Sequence, residues 1–492
     1  MQTDPVLNAN FLMVFDEAIQ KAKQLEKNLL LSYTQSIEKC DPIQIFDKKP
    51  AEFETCFFWE KPSENIALIG IGAASIIETQ GSERFDTTAK RWQNLLSDAV
   101  IYSTLADDPE QTLYYPYGPL LLGGFSFDPA HSDSPVWSDF PNSMMFLPYL
   151  LVSIGTNYAT LTISQVIQPN IDKDKYIKKI AAHVQQLRVA SLEGPYMSSD
   201  QDVAELIEQS NPRLPTADTW MDMVANTVLT LREGQYQKVV LSRGVQVTTA
   251  SPTKLFDIPA TLYQLQQNYP ETYLFALQHQ ERCFCGATPE QLASVHNGNV
   301  QTMALAGTAR QDSNANGADH PMNTALLSNR KDKKEHEFVV VMIRNFLETL
   351  CSEITISDTP HLLKLKNVQH LKTSIHGKLL PDRNILDVIA GLHPTPAVGG
   401  LPRAEALAAI RTREPTDRGW YAGPIGWLDA HGDGEFSVAL RSALVDKNSA
   451  LLFAGCGIVA DSIPEKEYEE SCWKLQAMRQ NLCVQKNKQS DI

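Results

Sequence analysis

The chain reads as an α+β protein in which antiparallel β-sheets pack in the core and helices lie outside. Apolar, strand-like runs follow one another with hairpin-type turns between them. Helical periodicity, by contrast, is gathered into separate blocks instead of alternating regularly with strands, which argues against a doubly wound parallel sheet. Scale is the third observation: 492 residues, 43% hydrophobic and 21% charged, make an ordinary globular composition. That length suits about two to four domains or one large α/β-type enzyme unit.

In chain order, apolar residues at helical spacing predict helices over 14–26, 85–96, 175–187, 219–232, 333–350, 403–411 and 465–479. Between them, β-rich runs predict strands over 66–72, 120–127, 159–167, 239–247, 273–277 and 300–305. The His296-Asn297-Gly298-Asn299 turn between two apolar runs is a hairpin signal. The stretch 190–217, rich in Ser, Pro, Asp and Glu, marks a join between an N-terminal part, 1–215, and a second part, 216–480, with a short tail at 481–492.

A net charge of −15 with no basic stripe argues against nucleic acid or an anionic membrane as the main partner. The N-terminus lacks a basic segment followed by an apolar run, and the longest apolar stretches are too short to span a bilayer. A cytoplasmic protein is expected. The eight cysteines have no zinc or redox spacing; Cys283 and Cys285 share one face of a strand as reduced structural thiols.

The most informative stretch, LFAGCGIVADSIPEKEYEESCWK at 452–474, joins a glycine-rich turn to carboxylates and a lysine. If Pro464 opens a helix, Glu467, Glu470 and Lys474 stand at i, i+3 and i+7 on one face. Two carboxylates beside an ammonium can hold a hard divalent cation together with an anionic ligand. A second pair, Asp332 and Glu335 in KDKKEH, is again i, i+3, and two such helices facing each other make a magnesium cage. Taken singly, each pair reads first as a solvated helix face, and only the rest of the C-terminal half favours the cage. A four-residue loop at 446–449 would pair Val445 with Ala450 and set Arg441 opposite Ala454, beside Gly455. Small neighbours, Ser437, Ala439 and Ala443, leave room there for a carboxylate in the guanidinium fork, although a buried salt bridge is the other reading of Arg441.

QKVVLSR at 237–243, GATPEQL at 286–292, ALAGTARQ at 304–311, KDKKEH at 331–336, HPTPAVGG at 393–400, GPIGW at 423–427, VALRSAL at 438–444 and the closing glycine turn occur together in one order. In that order they resemble the chorismate-utilising enzymes, which make isochorismate, salicylate, anthranilate or aminodeoxychorismate. The resemblance is strong over about 216–480. Over 1–215 it is weaker, although FFWEKPSE and IALIGIGAA look like the isochorismate synthases of quinone biosynthesis.

The resemblance implies the large fold of anthranilate synthase component I and a Mg2+ ion held by Glu335 and Glu470, with Asp332 and Glu467 around it. It implies Arg441, Gly455 and Lys474 on the enolpyruvyl carboxylate of chorismate, Gly307 and Thr308 at the ring carboxylate, and His370 near the ring hydroxyl. Lys238 stands where water-adding members carry lysine, Ala306 where aminodeoxychorismate synthases carry a nucleophilic lysine, and Ala397 where anthranilate- and salicylate-forming relatives tend to carry threonine. Lys238 is then the general base and Glu290 the general acid. Without the resemblance, Lys238 reads as an edge-strand gatekeeper and Glu290 as a local cap. The implied activity is a magnesium-dependent isochorismate synthase acting as a monomer or weak homodimer. A salicylate synthase, a siderophore-pathway isochorismate synthase and a chorismate-binding regulatory subunit are the alternatives.

Overall fold

The computed structural model describes residues 7–105, 116–130, 134–198, 202–310, 326–364 and 368–485; the side chains of 306–310, 330–332, 334, 335, 364, 368 and 370 lie outside that description. Among the described residues, 21 strands join in one sheet system and two form a separate ribbon. The pairings are antiparallel apart from the parallel pair of Leu29–Ile37 with Val100–Ser103. Hairpin succession is the cause: strands joined by short turns must run back on one another.

The two ends of the chain interleave in this sheet. Strand Thr55–Lys61 pairs with Tyr273–His279, and Leu121–Phe125 pairs with Pro424–Leu428. Each strand alternates between two buried cores. Phe57 and Trp59 face one together with Phe275 and Leu277, while Cys56 and Phe58 face the other with Leu274 and Ala276. Covering both faces explains why so many strands read as apolar runs without a polar side.

The helical blocks lie where the periodicity places them, at Ala9–Leu25, Arg84–Leu96, Lys173–Leu192, Ala217–Arg232, Arg330–Leu347, Arg403–Arg413 and Pro464–Arg479. Three shorter helices, Pro42–Asp47, Ile258–Asn268 and Ile385–Leu392, were not expected. They are too apolar or too short to show a polar face, and Asp41, Asp257 and Asn384 cap them through side-chain oxygens. The 296–299 turn is a two-residue hairpin: His296 pairs with Asn299, and Asn297 and Gly298 both take positive φ (50° and 70°).

One expected register is corrected. Val445 does pair with Ala450, but Asp446 pairs with Ser449, so the loop is the two residues Lys447 and Asn448. The strand that ends the hairpin begins only at Ser442, and Ala454 pairs with Arg243. Arg441 therefore leaves the ladder. It sits between strands Gly434–Val438 and Ser442–Asp446 at φ 49°, and Ala439 is likewise outside either strand. The pleat does not line Arg441 up with Ser437, Ala439 and Ala443; the left-handed backbone swings it out instead.

No helix among the described residues is long and apolar enough to cross a membrane. All eight cysteines are thiols, and Cys283 and Cys285 both point into the same core.

Candidate active site

The site is built where three strands and a helix converge. Strand Lys238–Thr249 begins at Lys238, which pairs with Leu401 on the two-residue strand Gly400–Leu401. Gly400 has φ 146°, and a Cβ there would stand 2.3 Å from the Lys238 carbonyl, so this approach needs glycine. Lys238 is buried at 8% exposure.

Glu290 lies just ahead of strand Gln291–His296, and its backbone is clamped. Its carbonyl accepts from Val438 N at 2.9 Å, and its N–H donates to Thr288 Oγ1 at 3.3 Å. The same Thr288 hydroxyl donates to the Val438 carbonyl at 2.5 Å, and Ala287 N donates to the Arg441 carbonyl at 3.2 Å. GATPEQL and VALRSAL, far apart in sequence, are thus stitched together. Burial pushes the Glu290 carboxyl up to about 7, while Lys238, Lys474 and Arg441 pull in the opposite direction. Four residues chosen from sequence are therefore electrostatic neighbours, with a carboxyl at their centre that keeps a proton near neutrality.

Pro464 opens helix Pro464–Arg479, as its fixed φ favours, and Lys474 reaches back to Gly455, which lies within strand Ser449–Ile458 and not in the turn expected from its glycines. Its ammonium donates to the Gly455 carbonyl at 2.9 Å and pairs with Glu470 at 2.5 Å. Burial opposes the Lys474 charge, but the Glu470 carboxylate outweighs it and holds the pKa above its ordinary value. A Cβ on Gly455 would stand 3.2 Å from both the Leu241 carbonyl and the Tyr421 hydroxyl, so this point of the strand admits little beyond glycine. Arg441 is depressed by burial, with Tyr421 and Glu470 acting the other way.

Glu467 and Glu470 offer carboxylate oxygens within 4.8 Å of each other and of Cys456 Sγ. Burial raises the Cys456 thiol well above its usual range, and its S–H donates to the Glu467 carbonyl at 3.3 Å. A protonated sulfur is a poor partner for a hard cation, so the donors that fit magnesium are the two carboxylates.

The other half of the predicted cage is placed only by its backbone. Asp332 and Glu335 lie on helix Arg330–Leu347, which packs on strands Asn299–Arg310 and Val368–Leu379, and His336 anchors it by a 2.7 Å bond between Nε2 and Thr373 Oγ1. Their side chains, with those of Ala306, Gly307, Thr308 and His370, lie outside the described ones. In the ladder Thr308 faces His370 and Ala306 faces Leu371, with the register shifting between them at Gly307. Ala397 is half-buried in the turn that precedes strand Gly400–Leu401, and Val240 N donates to the Gly399 carbonyl at 2.8 Å, joining that turn to the Lys238 strand.

Sequence reasoning did not find Tyr421 or Cys456 beside Gly455 and the carboxylates. Burial pushes the Tyr421 hydroxyl up to about 12, so it stays a neutral donor. The signal lay in GWYAGPIGW, an aromatic cluster with glycines, which reads as ordinary core.

Residues 17–483 match the family described as chorismate binding enzyme. The chain is 35% identical to isochorismate synthase MenF of Bacillus subtilis, over 94% of this chain and 95% of that one. It is 36% identical to the salicylate biosynthesis isochorismate synthase of Pseudomonas aeruginosa, over 95% and 93%. Its fold is similar to the solved structure of MenF, the menaquinone-specific isochorismate synthase of Escherichia coli, with TM-score 0.73, 23% identity and coverage of 95% of this chain and 99% of that one. With the convergence of Lys238, Glu290, Arg441 and Lys474 on one buried site, these likenesses identify the chain as a member of the chorismate-binding enzyme family.

Proposed function

We propose that this protein is an isochorismate synthase that hydrates C2 of chorismate and expels the C4 hydroxyl, with residues 216–480 as its catalytic region. The observation that carries the reading is the buried Glu290 carboxyl, raised to about 7 and ringed by Lys238, Lys474 and Arg441. Two relatives matched along nearly their whole length are isochorismate synthases by name. The quinone-type motifs of the N-terminal part and the likeness to the Bacillus subtilis enzyme favour menaquinone supply.

In the proposed reaction neutral Lys238 takes a proton from water as its oxygen bonds to C2. The ring double bonds shift, and Glu290 gives its proton to the C4 oxygen, which leaves as water. One water enters and one leaves, so the product is an isomer of the substrate. Arg441 and Lys474 bind the enolpyruvyl carboxylate, and Gly455, with no side chain, leaves room beside it. Glu470 and Glu467, with Glu335 and Asp332 from helix Arg330–Leu347, would hold Mg2+. Bound there, the ion supplies charge neutralisation and orientation for the ring carboxylate. The thiol state of all eight cysteines suits the cytoplasm.

Incubation with chorismate and magnesium, followed by product separation, tests the function. Isochorismate as the main product is expected. Salicylate with pyruvate would replace this reading by the eliminating one, and unchanged chorismate by a binding subunit.

Two further outcomes are expected. Arg441→Ala and Lys474→Ala should each raise the chorismate Kd about tenfold to a hundredfold, since each removes a charge-assisted contact of about 1.5 to 3 kcal/mol. Titration calorimetry reads this, and unchanged affinity in both variants would place the carboxylate elsewhere. Excess chelator should abolish turnover, and Glu470→Gln should do so at ordinary magnesium, because an anionic oxygen is lost from a hard-cation site. Full activity in chelator would remove the ion from the proposal.

A further inference from the structure

Against the catalytic strand lies a buried ion pair that takes no part in the reaction proposed above. Glu414 and Arg418 follow helix Arg403–Arg413, with side chains only 4% and 2% exposed and Nη2 to Oε1 at 2.5 Å. Arg418 Nε also donates to Glu414 Oε2 at 2.9 Å. The remaining bonds all go to backbone or side chain of the site's own elements. Arg418 Nη1 donates to the Val398 carbonyl at 2.8 Å and Nη2 to the Val240 carbonyl at 2.7 Å. Glu414 accepts from Ser242 N at 2.8 Å and from Ser242 Oγ at 2.9 Å. The guanidinium also lies over the Phe127 ring at 4.2 Å.

What the pair joins is specific. Val240 and Ser242 stand two and four residues beyond Lys238 in one strand, so their side chains share its side of the sheet. Val398 is next to Ala397. Ser242 is also the ladder partner of Gly455, whose carbonyl takes Lys474. A buried carboxylate and guanidinium with these bonds are costly to break and rigid while intact, because each would be left as an uncompensated charge without the other.

We propose that Glu414 and Arg418 are positioning residues for Lys238: they lock the strand that carries the base against the 393–400 turn and so fix the amine side chain relative to C2. The inference rests on the reading of Lys238 as the base. Misplacement of a base by about 1 Å costs on the order of 100-fold in rate without loosening the substrate's anchors. Those anchors, Arg441 and Lys474, make no bond to the pair among the contacts described above.

The test measures kcat, chorismate KM and thermal melting for Glu414→Gln, Arg418→Lys and Ser242→Ala, each alone and combined with Lys238→Ala. Glu414→Gln and Arg418→Lys should lower kcat about 10- to 100-fold and Ser242→Ala about 3- to 10-fold, with KM within about threefold of wild type. In the Lys238→Ala background the same changes should have almost no further effect on kcat, since residues that act through one group are not additive. A fall in melting temperature with unchanged kcat per folded molecule, or equal losses with and without Lys238, would overturn the inference. If the two charged variants do not fold, Ser242→Ala decides, and normal turnover there overturns it. Lys238→Ala that turns over normally refutes the base assignment itself, a result distinguishable from failure of the positioning role.

Discussion

Glu290→Gln should lower kcat by at least about 100-fold while chorismate KM stays within a few-fold of wild type. Glutamine keeps the shape of the side chain and both ends of the Thr288 and Val438 backbone clamp, so the pocket persists. Only the transferable proton is lost. Without it the C4 hydroxyl must leave as hydroxide, a far poorer leaving group than water. Wild type should also show a high-pH limb. An acid catalyst works in its protonated form, which is present below its pKa and lost as pH rises through it. Burial sets that passage at about 7 for Glu290, so kcat/KM should decline from there upward. The limb reports Glu290 together with the charged groups around it. A Glu290→Gln enzyme with wild-type turnover would assign the acid to another residue.

Lys238→Ala should be of similar size, about 100-fold to 10,000-fold in kcat, because general-base catalysis by a positioned side chain contributes on that scale. Its pairing to Leu401 is made by backbone and survives the change, and Arg441 and Lys474 are untouched, so binding should hold. Stopped assays of kcat/KM across pH 6 to about 9 check this, and near-normal turnover at any pH would refute hydration through this lysine.

How much was legible varied by the kind of physics involved. Amphipathic periodicity located the long helices to within a few residues, since one polar face and one apolar face write a pattern into the chain. Ile385–Leu392 was invisible for the opposite reason: five of its eight residues are buried, and a helix without a polar side has no stripe to read. The acidic and lysine spacing in 464–479 foretold the Glu470–Lys474 pair, because Pro464 fixes the helix start and the helix repeat then does the rest. Arg441 was located by its motif, but its exit from the strand depends on a left-handed backbone held by Ala287, a contact about 150 residues away in sequence.

Glu414 and Arg418 show the limit most clearly. In RTREPTDRGW they look like a solvated charge run, and nothing local marks them as buried to within a few per cent. The sequence by itself determined which residue types carry the chemistry, the strand and helix periods that present them, and the family the chain belongs to. Only the tertiary structure decided that strands far apart in the chain share one sheet, that Glu290 is buried near Lys238, Lys474 and Arg441, and that Glu414 and Arg418 form a buried ion pair against the strand of Lys238. The reason is physical: period and capping are set by neighbours within a few residues, whereas burial, register across a sheet and the pKa of a carboxyl are set by whatever the rest of the chain brings alongside.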